Sequence, residues 1–114
     1  MQEKYRLKKS GTFQYVYRRG SSTACKEMVL LYAKSRQVKV GFSVGKKVGN
    51  AVIRNFTKRR LRALIRPYLS QLKKGNYIIV ARASAASASF AHLQNQMLYL
   101  LKKLSLLSNA NEDV

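Results

Sequence analysis

Two rhythms of apolar residues alternate along the chain. Between about Ser10 and Arg18, Phe13, Val16 and Tyr17 recur at i, i+3 and i+4, the spacing that gathers side chains on one face of a helix, and Gly20 closes the segment. Met28 to Lys34 (MVLLYAK) is an apolar run of strand length. Val38 to Val44 alternates strictly, with Val38, Val40, Phe42 and Val44 on one side and Lys39, Gly41 and Ser43 on the other. The short polar link Ser35-Arg36-Gln37 predicts that these two strands pair as an antiparallel hairpin, and a further short strand fits near Ser22. A long helix follows, from about Ala51 to Arg66, with Asn50 as its N-cap and Pro67 disturbing its end. Its tail is expected to run on as a turn to Lys74 and to stop at Gly75. Tyr77 to Ala81 (YIIVA) reads as a strand buried on both faces, Ala83 to Ser89 as a loop, and about Phe90 to Leu107 as a last helix. Phe90, Leu93, Met97, Leu100, Leu101 and Leu104 form the core stripe of that helix. Helices and strands in this order predict an α+β fold, a two-layer α/β sandwich.

With 114 residues there is room for one domain, 1–114, with an ordered core over about 5–107 and a flexible C-terminal tail, 108–114. A hydrophobic content of 46% supports a packed body. Charge changes the picture most. Against 23 Lys and Arg stand 4 Asp and Glu, a formal net charge of +19, and Glu112 and Asp113 lie at the C-terminal end. Repulsion on that scale calls for a polyanionic partner, so nucleic acid is expected. Cys25 is the only cysteine, which excludes an intramolecular disulfide and fits a reducing cytoplasm. No secretory signal and no 18-residue apolar run is present, so the protein is expected to be cytoplasmic with no membrane partner.

The most informative segment is Gly45 to Arg66, GKKVGNAVIRNFTKRRLRALIR. On a wheel at about 100° per residue, Arg54, Asn55, Lys58, Arg59, Arg62 and Arg66 share one sector of about 140°. Ile53, Thr57, Leu61, Leu64, Ile65 and Tyr68 are left for the sheet. Arg60 falls beside Ile53 and Phe56 at the apolar edge, where its stem must snorkel or its head pair locally. No carboxylate stands at i±4 to any of these bases, and Arg, with its planar fork of donors, suits phosphate. A solvated basic face is the bland alternative; unrelieved repulsion along the rail argues for a ligand instead. Lys46 and Lys47, between Gly45 and Gly49 at the entry to the helix, make a phosphate-binding corner without P-loop spacing.

This segment resembles the signature of the bacterial ribonuclease P protein subunit: Gly45, Lys46, Lys47, Gly49, Asn50 and Ala51, then Arg54-Asn55, Lys58-Arg59 and Arg62. Arg6-Leu7 ahead of Phe13, the Val40 to Val44 strand and the Tyr77 to Arg82 strand are also similar. The resemblance implies an αβββαβα order with a left-handed βαβ crossover, against the usual right-handed rule. It implies a protein that binds a large catalytic RNA, in an enzyme that cuts the 5′ leader from precursor tRNA. Catalysis then belongs to the RNA, and divalent ions (Mg2+) are bound mainly by the RNA and not by the protein alone. Lys46, Lys47, Arg54, Asn55, Lys58, Arg59, Arg62 and Arg66 would hold that RNA, and no protein partner is required. A leader cleft between the first helix and the sheet would involve Phe13, Tyr17, Leu31, Lys39, Ser43 and Arg82. Its aromatic faces stack bases, its floor is the Lys39-Gly41-Ser43 side of the strand, and Lys47 and Arg82 flank it. The family's aromatic near Leu31 is displaced to Tyr32, which by alternation points to the other face.

A protein nuclease needs convergent carboxylates or a His pair. Glu3, Glu27, Glu112, Asp113 and the single His92 do not supply them, and His92 is read as a surface or rim residue. No catalytic residue is expected. A ribosomal or other structural RNA-binding protein of similar fold is the rival reading; a DNA-binding architectural protein is weaker, since no helix-turn-helix or dimer seam is visible.

Overall fold

Three helices and four strands form in the order α1 (Ser10–Arg19), β1 (Ser21–Ala24), β2 (Met28–Lys34), β3 (Val38–Val44), α2 (Ala51–Ile65), β4 (Gly75–Ala81) and α3 (Phe90–Lys103), in a computed structural model that describes residues 3–108. The expected tail lies outside the described residues except for Ser108.

Local chemistry sets the element ends. The Gly20 N–H closes α1 on the Val16 carbonyl at 2.8 Å. The Ile53 N–H donates to Asn50 Oδ1 at 3.0 Å, which satisfies one of the orphan donors at the start of α2. Ser89 caps α3 in the same way, accepting from the His92 N–H at 3.1 Å. Pro67 sits in a 3-10 turn, Arg66–Tyr68, that ends α2. Helix α3 stops at Lys103, short of the expected Leu107: Ser105 takes a positive φ of 56°, and Leu107 instead bridges to Leu72. The stretch read as a loop after β4 contains a further 3-10 turn, Ala83–Ala86, pinned by the buried Ala85.

The sheet order is β1-β2-β4-β3, so the β2–β3 hairpin predicted from the short link does not form. Strand β4 inserts between them, antiparallel to β2 and parallel to β3. The reason is burial. Tyr77, Ile78 and Ile79 are each fully buried, toward alternate faces, and a strand that is apolar on both faces is most stable at the centre of a sheet. Residues 35–37 therefore bridge over the start of β4, where Gly75 N–H donates to the Gln37 carbonyl at 3.1 Å. Gly75 is the first residue of that strand rather than a helix stop, and a Cβ there would collide with the Tyr32 ring.

Helices α2 and α3 pack Leu61, Leu64, Ile65, Leu93, Met97, Leu100 and Leu101 against Leu30, Val40, Tyr77 and Ile79 on one face. On the other face α1 makes a second, smaller cluster of Leu7, Val16, Leu31 and Ile78. Helices thus lie on both faces, which modifies the expected two-layer sandwich; two layers alone would have left Leu31 and Ile78 in water. Strand β3 is at the sheet edge. Its exposed edge is partly covered by the N-terminal segment, through a parallel bridge from Arg6 and a 3.0 Å bond from Leu7 N–H to the Val40 carbonyl.

Candidate nucleic-acid interface

The basic sector of α2 divides in two when docked. Asn55, Arg59 and Arg66 are exposed, whereas Arg54, Lys58 and Arg62 are half-buried. The buried stripe, Thr57, Leu61, Leu64 and Ile65, lies closer to Arg54 than the wheel reading assumed, and Ile53 is left 38% exposed. Arg54 Nε is buried without a hydrogen-bond partner among the described residues. Arg62 sits over the Phe42 ring at 5.9 Å, in cation–π range. Together with Lys58 it overhangs a cavity of about 340 Å³ whose other walls include Arg6, Leu7, Phe13 and Gly41. Arg60 points the other way. Its Nη2 donates to the Ala88 carbonyl at 2.7 Å and its guanidinium lies over Phe56 and Phe90 at 5.2 and 6.0 Å, the local pairing expected of a base at the apolar edge.

Lys46 and Lys47 are exposed in a 3-10 turn, Lys46–Val48, between β3 and α2. The N–H groups of Val48 and Gly49 are consumed within that turn, by Gly45 and Lys46 carbonyls, so this corner offers its ammonium groups more than its backbone donors. Glu27 lies elsewhere, against His92. No described carboxylate neutralises α2.

On the α1 face, strand register defines two neighbouring rungs. Leu31, Ile78 and Gly41 form one, beneath α1; Ala24, Val29, Val80 and Ser43 form the next, which is only partly covered. Helix α1 crosses the sheet from β3, where a Cβ on Gly41 would collide with the Phe13 ring, to β2, where Gly20 abuts the Tyr32 backbone. The Lys39-Gly41-Ser43 strip is therefore not an open floor: Phe13 covers its middle. An open strip runs instead across the strands, over Val29, Val80 and Ser43. Tyr17, one turn beyond Phe13, is 48% exposed. Leu31 is 8% exposed, packed under α1, while Tyr32 points to the opposite face, its ring 5.0 Å from Tyr77 and its hydroxyl donating to the Lys74 carbonyl. Arg82 is anchored by a 3.1 Å bond from Nη1 to the Cys25 carbonyl. Lys39 is not brought to Ser43 and Arg82: four residues along β3 separate it from Ser43 by about 13 Å, and its Nζ donates to the Lys4 carbonyl at 2.6 Å.

Sequence reasoning missed Val29 and Val80, because an apolar run shows no sign of which end a helix leaves uncovered. It also missed Glu27. That carboxylate is buried, and Oε2 meets His92 Nε2 at 3.0 Å. Burial alone would push it up; the His92 hydrogen bond and charge, with bonds from Cys25 and its own backbone, outweigh that and hold it below its ordinary value of 4.5. The pair joins residues 65 positions apart, which no local pattern signals.

Comparison with known proteins agrees with this geometry. The family model described as Ribonuclease P matches residues 1–105. A ribonuclease P protein component from Streptococcus pyogenes is 37% identical, covering 98% of this chain and 96% of its own length. One from Bacillus velezensis is 39% identical over 93% and 94%. Among solved structures, the Staphylococcus aureus RNase P protein superposes with a TM-score of 0.84 at 32% identity, covering 90% of this chain and 97% of that one. The Thermotoga maritima RNase P protein gives 0.76 at 26% identity over 86% and 96%. Matched along nearly its whole length in sequence and in fold, the chain belongs to the family of the ribonuclease P protein component.

Proposed function

We propose that the chain is the protein subunit of ribonuclease P, partnering the RNA that cuts the 5′ leader from precursor tRNA, and that α2 is its grip on that RNA. One observation carries the assignment of the grip: a helix with no described carboxylate near it presents exposed Asn55, Arg59 and Arg66 beside Lys58 and Arg62, which packing holds at an open cavity. Preset Arg and Lys side chains lose little freedom when they meet phosphate. Arg54 supports the same face from its half-buried position, and Lys46 and Lys47 extend it at the helix entry. The β3–α2–β4 unit joins parallel strands, and the family implies a left-handed connection for it.

The leader of precursor tRNA is assigned to the α1 face. Val29, Val80 and Ser43 supply a strip on which a single strand can lie, with Phe13 and Tyr17 on one margin and Arg82 at the end. Stacking on aromatic faces binds any base, at about 1–3 kcal/mol each, which suits a substrate defined by position rather than sequence. Leu31 supports this strip from beneath α1 and does not touch the strand. Hydrolysis belongs to the RNA. Mg2+ is assigned in the same reading mainly to RNA ligands; among the described residues no three His, Cys, Asp or Glu side chains lie together. No described helix is long and apolar enough to cross a membrane.

Reconstitution tests the reading. Purified protein should leave precursor tRNA intact, and cleavage should appear with the cognate RNA and Mg2+. Affinity for that RNA should fall log-linearly with monovalent salt as counterions are released. Protein-only cleavage lost on mutating a side chain of this chain, or a flat salt profile, would overturn it.

A further inference from the structure

The α2 rail and the leader strip leave a third concentration of positive charge unexplained. A cavity of about 640 Å³ opens at the far end of β3, between the N-terminal segment, the start of α1 and the β2–β3 link. Lys4, Arg6, Lys8, Lys9, Arg36 and Lys39 line it, and its other described walls are neutral. Sequence does not gather them: they come from three separate segments, brought together because the N-terminal segment pairs along the edge of β3 and β4 pushes the 35–37 link outward. Lys9 is also the N-cap position of α1, with no side-chain cap bond, and the first turn of that helix carries no acid. The positive end of the helix dipole therefore adds to the field instead of being offset.

Lys9 and Arg36 stand exposed at this concavity, and like charges brought together there repel one another. Leu7 holds the N-terminal segment on the sheet, through its backbone bond to Val40 and its place beneath α1, and Lys39 ties the same segment through the Lys4 carbonyl. Arg6 and Leu7 also line the smaller cavity beneath Lys58 and Arg62, so the two concavities adjoin where the N-terminal segment runs along the edge of β3.

We propose that this N-terminal basin is a second phosphate-backbone site, taking a stretch of RNA continuous around the β3 edge with the stretch held by α2, and that Lys39 serves it rather than the leader strip. This rests on the reading of α2 as an RNA grip. The ligand chemistry is the RNA phosphodiester backbone; its source is either the RNA subunit or the precursor tRNA, and the experiment separates them.

Lys9 and Arg36 are exposed and belong to neither α2 nor the leader strip. The full chain carrying K9E and R36E together is compared with wild type and with K9Q/R36Q, by affinity for the RNA subunit alone and by affinity of the assembled holoenzyme for precursor tRNA, each at several salt concentrations. If the basin holds the RNA subunit, the reversal weakens that binding by at least about tenfold at low salt, the neutral pair by less, and the log–log salt slope falls by about 1 to 2. If it holds precursor, the same losses appear in the second assay alone. Unchanged affinity and slope in both assays, with the wild-type melting curve retained, overturns the proposal. Failure of wild type to show steep salt dependence would instead count against the reading of α2. If the reversal pair does not fold, the neutral pair decides, by the same loss of slope.

Discussion

Arg60 and Arg62 stand two positions apart on α2, carry the same charge, and do opposite things. Arg60 turns toward α3, where the Ala88 carbonyl and the Phe56 and Phe90 rings occupy it. Arg62 turns toward β3, lies across Phe42, and overhangs an open cavity. The first joins two parts of the fold; the second stands at an open cavity, where we propose that it meets RNA. Charge along a helix therefore states only that a polyanion is welcome. Which bases serve it depends on whether a carbonyl or an aromatic ring has already taken the donors.

The largest effect separating the two flanks should be Arg62→Ala on RNA binding. Losing one charge-assisted contact or more, each worth about 1.5–3 kcal/mol, weakens affinity for the RNA subunit about ten- to a hundredfold, while the melting temperature stays close to wild type. Titration and thermal melts at one salt concentration read both. A change in stability without a change in affinity would reverse the roles assigned to the flanks.

Arg60→Ala should show the mirror image. The bond to Ala88 and the ring contacts are lost, lowering stability by about 1.5–3 kcal/mol, and affinity for RNA changes less than about threefold, a general loss of charge. Equal weakening of binding by the two substitutions would mean that α2 is a diffuse positive surface.

The smallest effect concerns the α3 flank alone, through Glu27 and His92. Glu27 is held below its ordinary 4.5, so its contribution to stability is present above that pH and is lost as pH falls through the folded value. His92→Ala removes the restraint. Its melting temperature should lie below wild type by no more than about 4 °C near neutrality, with the gap closing below pH 4.5. A gap that stays constant down to pH 3 would show that Glu27 is held low by Cys25 and its own backbone, not by His92.

Local elements were legible in the sequence because their causes are local: the i, i+4 spacing of Phe13 and Tyr17, the Asn50 cap, the break at Pro67, the alternation through Val38 to Val44, and a helix with bases on one side and no acid among them. The family resemblance rests on the same short-range spacing. Pairing was not legible. A three-residue link between two strands favours a hairpin, and only the burial of Tyr77, Ile78 and Ile79 on alternate faces, a property of the assembled sheet, puts β4 between them. The same step decided the site. It put Phe13 over Gly41 and left Val29, Val80 and Ser43 as the open strip proposed for the leader, half-buried Arg54, joined Glu27 to His92, and drew Lys39 toward Lys4 and Arg36. Sequence by itself determined the periodicity and the sign of the charge; tertiary structure decided which charges share a surface, because neighbours on that surface come from segments with no spacing in common.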